Sequence, residues 1–291
     1  MKARVLAVIM CMMAAVNFAS ADTIRGIGMD FVTIGNPGNA ADTGGTPGCG
    51  AVSYDYRIGK YEVTNAQWNA FTAAAGVPTG NDGGYSYSAY FTGAQQPTNN
   101  ISWYEATQFC NYLTSGDKSK GAYLFSGNNT NPGSFLGINR DAAISSYGIA
   151  YIIPTEDEWY KAAYYKPNGS GYSLYANGTN TAPIAGLQSN YNNAIGEPWN
   201  VGTGTMEQNG TFDMMGNVWE WNEALFYGSR RGIRGGSFYF TGYDLSSSIR
   251  YTKYPYYEDS NIGFRVASVP EPATLSLLGL GGLSLLRKRS V

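Results

Sequence analysis

Apolar side chains recur at helical spacing in the segment that follows Ser102. The apolar positions of this segment are Trp103, Ala106, Phe109, Cys110 and Leu113. Side chains three and four residues apart share one face of a helix, so the spacing predicts an amphipathic helix with one buried face. Cys110 lies on that face, which favours a place in the core over a reactive thiol.

Three capping boxes predict where helices begin. In each box a Ser or Thr hydroxyl can accept a hydrogen bond from the backbone N–H three residues on, while a Gln or Glu side chain returns to the cap N–H. The three pairs are Thr64 with Gln67, Ser102 with Glu105, and Thr155 with Glu158, and the tryptophans close behind them are Trp68, Trp103 and Trp159. We therefore predict three helices.

Strands are expected to be short, because the segments between them are loops dense in Gly and Asn. Short apolar runs bounded by such loops predict strands. The runs lie at residues 31–34, 51–58, 217–221, 232–237 and 263–267.

The first 21 residues have the parts of a secretory signal. Lys2 and Arg4 precede an apolar run over residues 5–16, and Ala19-Ser20-Ala21 follows as a small-residue cleavage site. The pattern predicts export with cleavage before Asp22. The alternative is a buried N-terminal helix.

The other end of the chain combines a short motif, an apolar run and a basic stop. Val269-Pro270-Glu271-Pro272 leads into an apolar run over residues 273–286, which stops at Arg287-Lys288-Arg289. About 14 residues of helix cover roughly 21 Å, less than the ~30 Å of a bilayer core, and glycines weaken the run further.

This C-terminal pattern resembles the PEP-CTERM sorting signal of Gram-negative bacteria. The resemblance implies an exosortase-type sorting protease as a partner, transient membrane association of residues 269–291, and a final place at the cell surface or outside the cell. The alternative is a degenerate transmembrane anchor.

Removal of both ends leaves residues 22–268, which are enough for one large domain with its own core. Charged residues make up 14% of the 291 residues, whereas Gly (38) and Tyr (24) are plentiful, and this composition predicts long, turn-rich loops. The net charge is −2 and the mature region has no basic run, which argues against nucleic acid as a partner.

The chain contains no histidine. This excludes a Ser-His-Asp or Cys-His catalytic device and the histidine-ligated zinc, iron and copper sites. Cys11 is lost with the signal, so the mature chain keeps Cys49 and Cys110. In an oxidising compartment these two can form a disulfide only if their Cα atoms come within bridging range.

Six sequence blocks carry a resemblance to one family. In chain order they are Tyr61-Glu62-Val63-Thr64-Asn65 with Trp68, Ile101-Ser102-Trp103-Tyr104-Glu105-Ala106, Ile153-Pro154-Thr155-Glu156-Asp157-Glu158-Trp159, Asp213-Met214-Met215-Gly216-Asn217-Val218-Trp219-Glu220-Trp221, Arg234-Gly235-Gly236-Ser237 and Asn261-Ile262-Gly263-Phe264-Arg265. From Phe31 to Val266 the chain resembles the domain shared by formylglycine-generating enzymes, the sulfatase-modifying factors. The resemblance implies an α+β domain with a C-type-lectin-like fold and little regular secondary structure.

The enzymes of that family hold a cuprous ion with two cysteines, three and eight residues after the Ser of the Gly-Gly-Ser block, because soft thiolates select that metal. Phe240 and Leu245 occupy those positions here. Trp221 and Ser237 match family residues that line the oxidase pocket, and Arg234 accompanies them. The alternative is that Trp221 is core and Ser237 caps a turn.

The family also has a disulfide at the position of Cys110, and its partner position is Val266 in this chain. The resemblance therefore implies that this bridge is lost or rerouted.

Calcium is the remaining inorganic cofactor that the resemblance implies. In the family one ion is held by backbone carbonyls and a glutamate that carry over to Met215, Gly216, Val218 and Glu220. A glutamate between two tryptophans is expected to be buried and to need a partner, so the alternative is a counter-ion from Arg234 or Arg265. A second family site matches weakly, at Asn190 and Tyr191.

Two groups of tyrosines lie in loops rich in Gly, Ser and Pro. They are Tyr85, Tyr87 and Tyr90, and Tyr251, Tyr254, Tyr256 and Tyr257. Tyr supplies amphipathic contact area at a low cost in entropy, so a polysaccharide or protein ligand is one interpretation. The other is that these rings pack loops onto the domain surface.

The sequence thus predicts an exported, non-catalytic binding or extracellular-matrix-associated protein. The alternative is an oxidase of the formylglycine-generating family that works through a variant site.

Overall fold

A computed structural model describes residues 21–78 and 90–270, and within these residues it contains four helices and eleven strands. The helices are α1 (Asn65–Ala75), α2 (Trp103–Ser115), α3 (Arg140–Tyr147) and α4 (Glu156–Tyr164). The strands are β1 (Ala21–Ile24), β2 (Ile27–Ile34), β3 (Tyr56–Gly59), β4 (Tyr123–Phe125), β5 (Phe135–Ile138), β6 (Ile149–Ile152), β7 (Trp219–Phe226), β8 (Arg230–Arg234), β9 (Tyr251–Lys253), β10 (Ile262–Gly263) and β11 (Ala267–Pro270). The predicted α+β class is confirmed.

Several sequence predictions fall outside the described residues. They are the signal segment up to residue 20, the tyrosines Tyr85 and Tyr87, and the sorting segment after Pro270.

All three predicted capping boxes are present. Thr64, Ser102 and Thr155 each accept a hydrogen bond from the backbone N–H three residues on, and the Gln or Glu there accepts one from the cap N–H. The helices α1, α2 and α4 begin directly after these caps. The sequence analysis missed α3, which begins after Asn139 without a capping box and buries little beyond Ala143.

The largest sheet has the strand order β1-β2-β3-β11-β6, and all neighbouring strands are antiparallel. The last strand, β11, is inserted between two strands that come much earlier in the chain. Ala267 of β11 pairs with Ile58 on one side and with Ile152 on the other. Because β11 runs through Pro270, the predicted domain boundary after residue 268 falls inside a strand.

The second sheet has the order β10-β7-β8-β9 and includes parts of three of the family-like blocks. β10 is parallel to β7, whereas β7, β8 and β9 are antiparallel neighbours. In the β7–β8 hairpin, Glu220 is opposite Arg234 at one end and Phe226 is opposite Arg230 at the other. β4 and β5 form a separate two-stranded ribbon.

Two predicted strands have different limits in the structure. The run at 51–58 becomes regular only at Tyr56, because the chain before it bonds within its own loop, with Gly38 N–H donating to Val52 O at 2.8 Å. The run at 263–267 is split between β10 and β11, because the residues between them bond across to the segment after β3. There Val63 N–H donates to Phe264 O at 2.9 Å.

The core between α1 and α2 is aromatic. Trp68 stacks on Phe109 with ring centroids 5.8 Å apart, and Phe264 packs edge-on against Phe109 at 5.5 Å. Cys110 is fully buried beside them, as its helical spacing predicted.

Among the described residues, no helix has the length and apolarity needed to cross a membrane.

Candidate functional site

The Gly-Gly-Ser block forms a tight turn at the end of β8. Gly235 and Gly236 have φ angles of +98° and +78°, which L side chains rarely adopt. A Cβ atom on Gly236 would come within 2.6 Å of Leu245 Cδ2, so glycine allows the turn to close over that leucine. Ser237 is fully buried, and its Oγ has no hydrogen-bond partner among the described residues.

Apolar side chains fill the two positions where the family carries its copper ligands. Leu245 is fully buried, and the Phe240 ring packs edge-on against Trp219 with centroids 5.3 Å apart. Phe240 N–H donates to Ser237 O at 3.0 Å, so Ser237, Phe240 and Leu245 do lie around one turn. None of these side chains offers a soft ligand for copper.

Trp221 and Arg234, the other members of the predicted pocket, point into the interior. Trp221 is fully buried and its Nε1–H donates to Ile101 O at 2.8 Å. Arg234 donates from Nε to Glu156 Oε1 at 2.7 Å and from Nη1 to Ile249 O at 2.8 Å. These contacts show that both side chains stabilise the interior of the domain.

The cavities formed by the described residues include two of about 290 Å³ each, and none of the five predicted pocket residues lines either of these two. One of the two cavities is lined in part by Asp42, Gly45, Tyr172, Asn180 and Ser247. The Asp42 carboxylate in it already accepts from Tyr160 Oη–H at 2.5 Å and from the backbone N–H of Gly44 at 2.8 Å.

Both remaining cysteines are buried and free, so the disulfide between Cys49 and Cys110 that the sequence left open is not formed. Burial raises the pKa of both thiols, which keeps them protonated at neutral pH. Arg234 donates from Nη2 to the Cys49 sulfur at 3.9 Å. Neither thiol is poised as a nucleophile or as a metal ligand.

Glu220, the carboxylate of the predicted calcium site, already has a cationic partner. Arg265 donates from Nε to Glu220 Oε2 at 2.6 Å and from Nη2 to Oε1 at 2.5 Å, as a bidentate pair. Trp159 Nε1–H also donates to Oε2, at 2.7 Å. Of the two arginines that the sequence suggested as counter-ions, Arg265 has this role.

At the implied calcium site, the carboxylate and one carbonyl are already hydrogen-bonded within the protein. A cation at Glu220 would have to share its carboxylate with a buried guanidinium, and the Met215 carbonyl already accepts from the Ser189 hydroxyl. In the described ranges no cluster of three or more Asp, Glu, Cys or His residues could hold a metal ion.

Asn190, the weak member of the second family site, lies against the same segment. Its backbone carbonyl accepts from Asn217 N–H at 2.8 Å and its side-chain amide donates to Glu197 O at 2.9 Å. Its Oδ1 is buried and has no partner among the described residues. One neutral oxygen is not sufficient to define a cation site.

Several buried carboxyls surround Arg265, and the sequence analysis did not single them out. Burial raises the pKa of Glu62, Glu207 and Asp213, and that of Glu207 reaches about 8. Glu207 Oε2 accepts from Thr211 Oγ1–H at 2.9 Å. In the sequence, the one indication of such a buried carboxyl is a charged residue among apolar neighbours, as at Glu62.

Away from this interior, arginines form cation–π contacts at the open end of the β7–β8 hairpin, where Phe226 is opposite Arg230. Arg230 lies over the Tyr254 ring at 4.5 Å, and Arg250 lies over the Phe226 ring at 4.3 Å. Tyr254 and Tyr256 are 40% and 48% exposed, and their rings are nearly parallel, 6° apart in tilt with centroids separated by 5.4 Å. We call Phe226, Arg230, Arg250, Tyr254 and Tyr256 the cation–aromatic strip.

The other tyrosines that the sequence singled out are not part of this strip. Tyr251 packs on Trp219 with centroids 5.2 Å apart, and Tyr257 donates to Asp259 Oδ2 at 3.1 Å. Tyr90 is 72% exposed in a different loop. The sequence thus grouped residues that the fold divides among several surfaces.

Comparison with known proteins identifies both the domain family and the terminal motif. The family model of the sulfatase-modifying factor enzyme 1-like domain matches residues 31–269, and that of the PEP-CTERM protein-sorting motif matches residues 268–290. The sorting-motif match confirms the resemblance seen in the sequence. It implies export and recognition by an exosortase.

A curated relative is chaperone protein LppX of Paenibacillus barcinonensis, which is 27% identical over 184 residues. The alignment covers 57% of this chain and 61% of that protein. The chain therefore spans about three fifths of the relative's length.

Three solved structures share the fold at low identity. Treponema denticola variable protein 1 is 24% identical with a TM-score of 0.62, over 87% of this chain and 99% of its own. CarF is 21% identical with a TM-score of 0.61, over 84% and 99%. PvdO from Pseudomonas aeruginosa is 18% identical with a TM-score of 0.59, over 86% and 98%.

These neighbours confirm the C-type-lectin-like fold of formylglycine-generating enzymes that the sequence blocks implied. The family model covers most of the chain, including the second sheet, the Gly-Gly-Ser turn and the strand β11. By this match, the chain is a member of the sulfatase-modifying factor enzyme 1-like domain family.

Proposed function

We propose that this exported family member is a non-catalytic binding protein of the cell surface or extracellular matrix. The observation that carries the proposal is the filling of the two copper-ligand positions by Phe240 and Leu245. A cuprous site needs two soft ligands within reach of the same ion. The Phe240 ring and the Leu245 side chain have no atom that can act as such a ligand.

The two thiols of the mature chain do not substitute for that pair. Cys49 lies beside Arg234 and Cys110 lies in α2, and both are buried in their protonated form. A catalytic thiol needs access and a stabilised thiolate, and burial without a strong counter-ion opposes both. The fold is thus kept while the groups that perform the oxidation are replaced by packing.

A direct assay tests the proposal. The mature protein is incubated with a cysteine-containing sulfatase peptide and cuprous ion, beside a formylglycine-generating enzyme as positive control, and the peptide is analysed by mass spectrometry. We expect no stoichiometric copper and no conversion above a metal-free blank. Conversion that disappears in Cys49→Ser or Cys110→Ser would instead establish an oxidase with a variant site.

The sorting segment contributes the second part of the proposal. Residues 273–286 are apolar enough to pause in a membrane, and Arg287, Lys288 and Arg289 favour the cytoplasmic side. Pro270-Glu271-Pro272 would then meet the sorting protease at the outer boundary. We expect protein recovered from the surface or medium to end near Pro272, and an intact mass that includes Val291 would show a retained anchor.

A further inference from the structure

We propose that the cation–aromatic strip binds an anionic polysaccharide, a ligand class that rests on the binding role proposed above. The strip brings together two features that such a chain needs. It presents half-exposed tyrosine rings for contact with sugars, and it presents the guanidinium of Arg230 for the carboxylates between them.

The sheet register brings Arg230 and the tyrosine rings together. Arg231 pairs with Lys253, so the next position along the ladder sets Arg230 beside Tyr254 at the end of β9. Tyr254 and Tyr256 then stack almost in parallel and stay about half exposed. Exposed rings held in this way offer contact area with little further loss of entropy on binding.

The strip also has more positive than negative charge. Glu156 accepts from Arg250 at 2.6 Å and also from the buried Arg234, so one carboxylate neutralises two guanidinium groups. Arg230 has no carboxylate within salt-bridge distance in the described part of the chain. This local excess stands on a chain whose net charge is −2, so it is a property of the strip and not of the whole molecule.

The position of Arg230 favours carboxylates over neutral hydroxyl groups. Its Cζ lies over the Tyr254 ring, 4.5 Å from the centroid, which restrains the side chain. Within the described residues no carboxylate forms an ion pair with this guanidinium. A planar guanidinium matches a carboxylate through two parallel hydrogen bonds, a geometry that an ammonium cannot copy. An acidic sugar chain can contact the exposed parts of the two tyrosine rings and pair a carboxylate with Arg230.

Polygalacturonate is a suitable probe, with neutral dextran of the same length as the matched comparison. We expect the full mature protein to bind polygalacturonate at low salt, to lose affinity as salt is raised, and to bind dextran at least tenfold more weakly. Arg230→Gln and Tyr254→Ala should each weaken polygalacturonate binding at least tenfold. Arg230→Lys should weaken polygalacturonate binding less than Arg230→Gln, because lysine keeps the positive charge but cannot form two parallel hydrogen bonds with a carboxylate.

Two control variants carry the same chemical changes away from the strip. Tyr239→Ala removes a ring that is 65% exposed, and Lys120→Gln removes a cation whose side chain is 64% exposed. Both should bind polygalacturonate as the wild type does. The melting temperature of every variant is measured first, so that a loss of binding is not mistaken for a loss of fold.

Three results would overturn the inference. They are equal affinity for dextran, unchanged binding in Arg230→Gln, and no binding of polygalacturonate by the wild type. Equal affinity for dextran with loss in Tyr254→Ala would mean a neutral sugar ligand, and capture of a protein partner through the same residues would mean a protein ligand. None of these results affects the non-catalytic proposal, which is decided separately by the peptide-conversion assay.

Discussion

The two ends of the β7–β8 hairpin use their charges in opposite ways. At the buried end, Glu220 and Arg234 are fully enclosed, and each is matched by a distant residue, Arg265 and Glu156. At the open end, Arg230 is partly exposed and lies on a tyrosine ring without a carboxylate partner in the described residues.

The difference follows from solvation. A buried charge is tolerated only with a partner, so the arginine at the closed end has its donors taken up by the protein. A partly exposed guanidinium is solvated by water and needs no such partner, so its N–H donors remain available to a ligand. One hairpin can therefore hold the fold together at one end and remain open to binding at the other.

The largest effect is expected from Glu220→Gln at the buried end. The change leaves Arg265 without its carboxylate in the interior, which should lower the free energy of unfolding by about 3–5 kcal/mol. Denaturant titration of the mature protein measures it. A loss below about 1 kcal/mol, the range of an exposed pair, would show that the buried end is no different from the surface.

A matched pair of arginine variants on β8 sharpens the comparison. Arg234→Gln removes one of the two guanidinium groups on Glu156 and should cost about 3 kcal/mol. Arg230→Gln removes a partly exposed cation and should change stability by no more than about 0.5 kcal/mol. If the two variants unfold at the same denaturant concentration, the contrast between the two ends is wrong.

The pH dependence of stability tests the buried carboxyls near Arg265. Burial raises the pKa of Glu207 from 4.5 to about 8, so the folded protein binds a proton there that the unfolded chain has lost. This stabilisation is complete below pH 4.5 and is lost as the pH rises towards 8, by at most about 1.4 kcal/mol per pH unit. Glu207→Gln should flatten the decline between pH 5 and 8, and an unchanged slope in that variant would contradict the assignment.

The smallest expected effect is that of calcium removal. Because the Glu220 carboxylate is occupied by Arg265, we expect a chelator to leave the melting temperature of the wild type unchanged. A bound ion at a hundred times its dissociation constant would contribute about 2.7 kcal/mol, which a thermal scan detects easily. A chelator effect that is absent in Glu220→Gln would restore the calcium site that the family resemblance implies.

The starts of three helices could be predicted because capping boxes are local. Ser102 and Glu105, for example, are three residues apart, so the sequence contains the whole interaction. α3 has one capping side chain, Asn139, and little apolar periodicity, so the same reasoning had nothing to detect.

The candidate sites depended on contacts that the sequence could not show. Glu220 and Arg265 are 45 residues apart, and the sequence left Arg234 as an equal alternative. The stacking of Arg230 on Tyr254 depends on the register of β8 and β9. The replaced copper ligands, by contrast, could be located by the family resemblance, because their positions are a short, fixed distance along the chain from Ser237.

The place of β11 in the first sheet has a consequence for the order of assembly. Among the described strands β6 pairs only with β11, and β3 has β2 on one side and β11 on the other, so the pairing of both strands is complete only when residues 267–270 are present. A chain that stops before Ala267 leaves β6 without a partner strand and β3 with an open edge, which is a template for aggregation. Since Pro270 ends β11 and begins the sorting motif, a molecule that carries the motif also carries the strand that closes its sheet. The same few residues therefore complete the sheet and begin the motif that the sorting protease recognises.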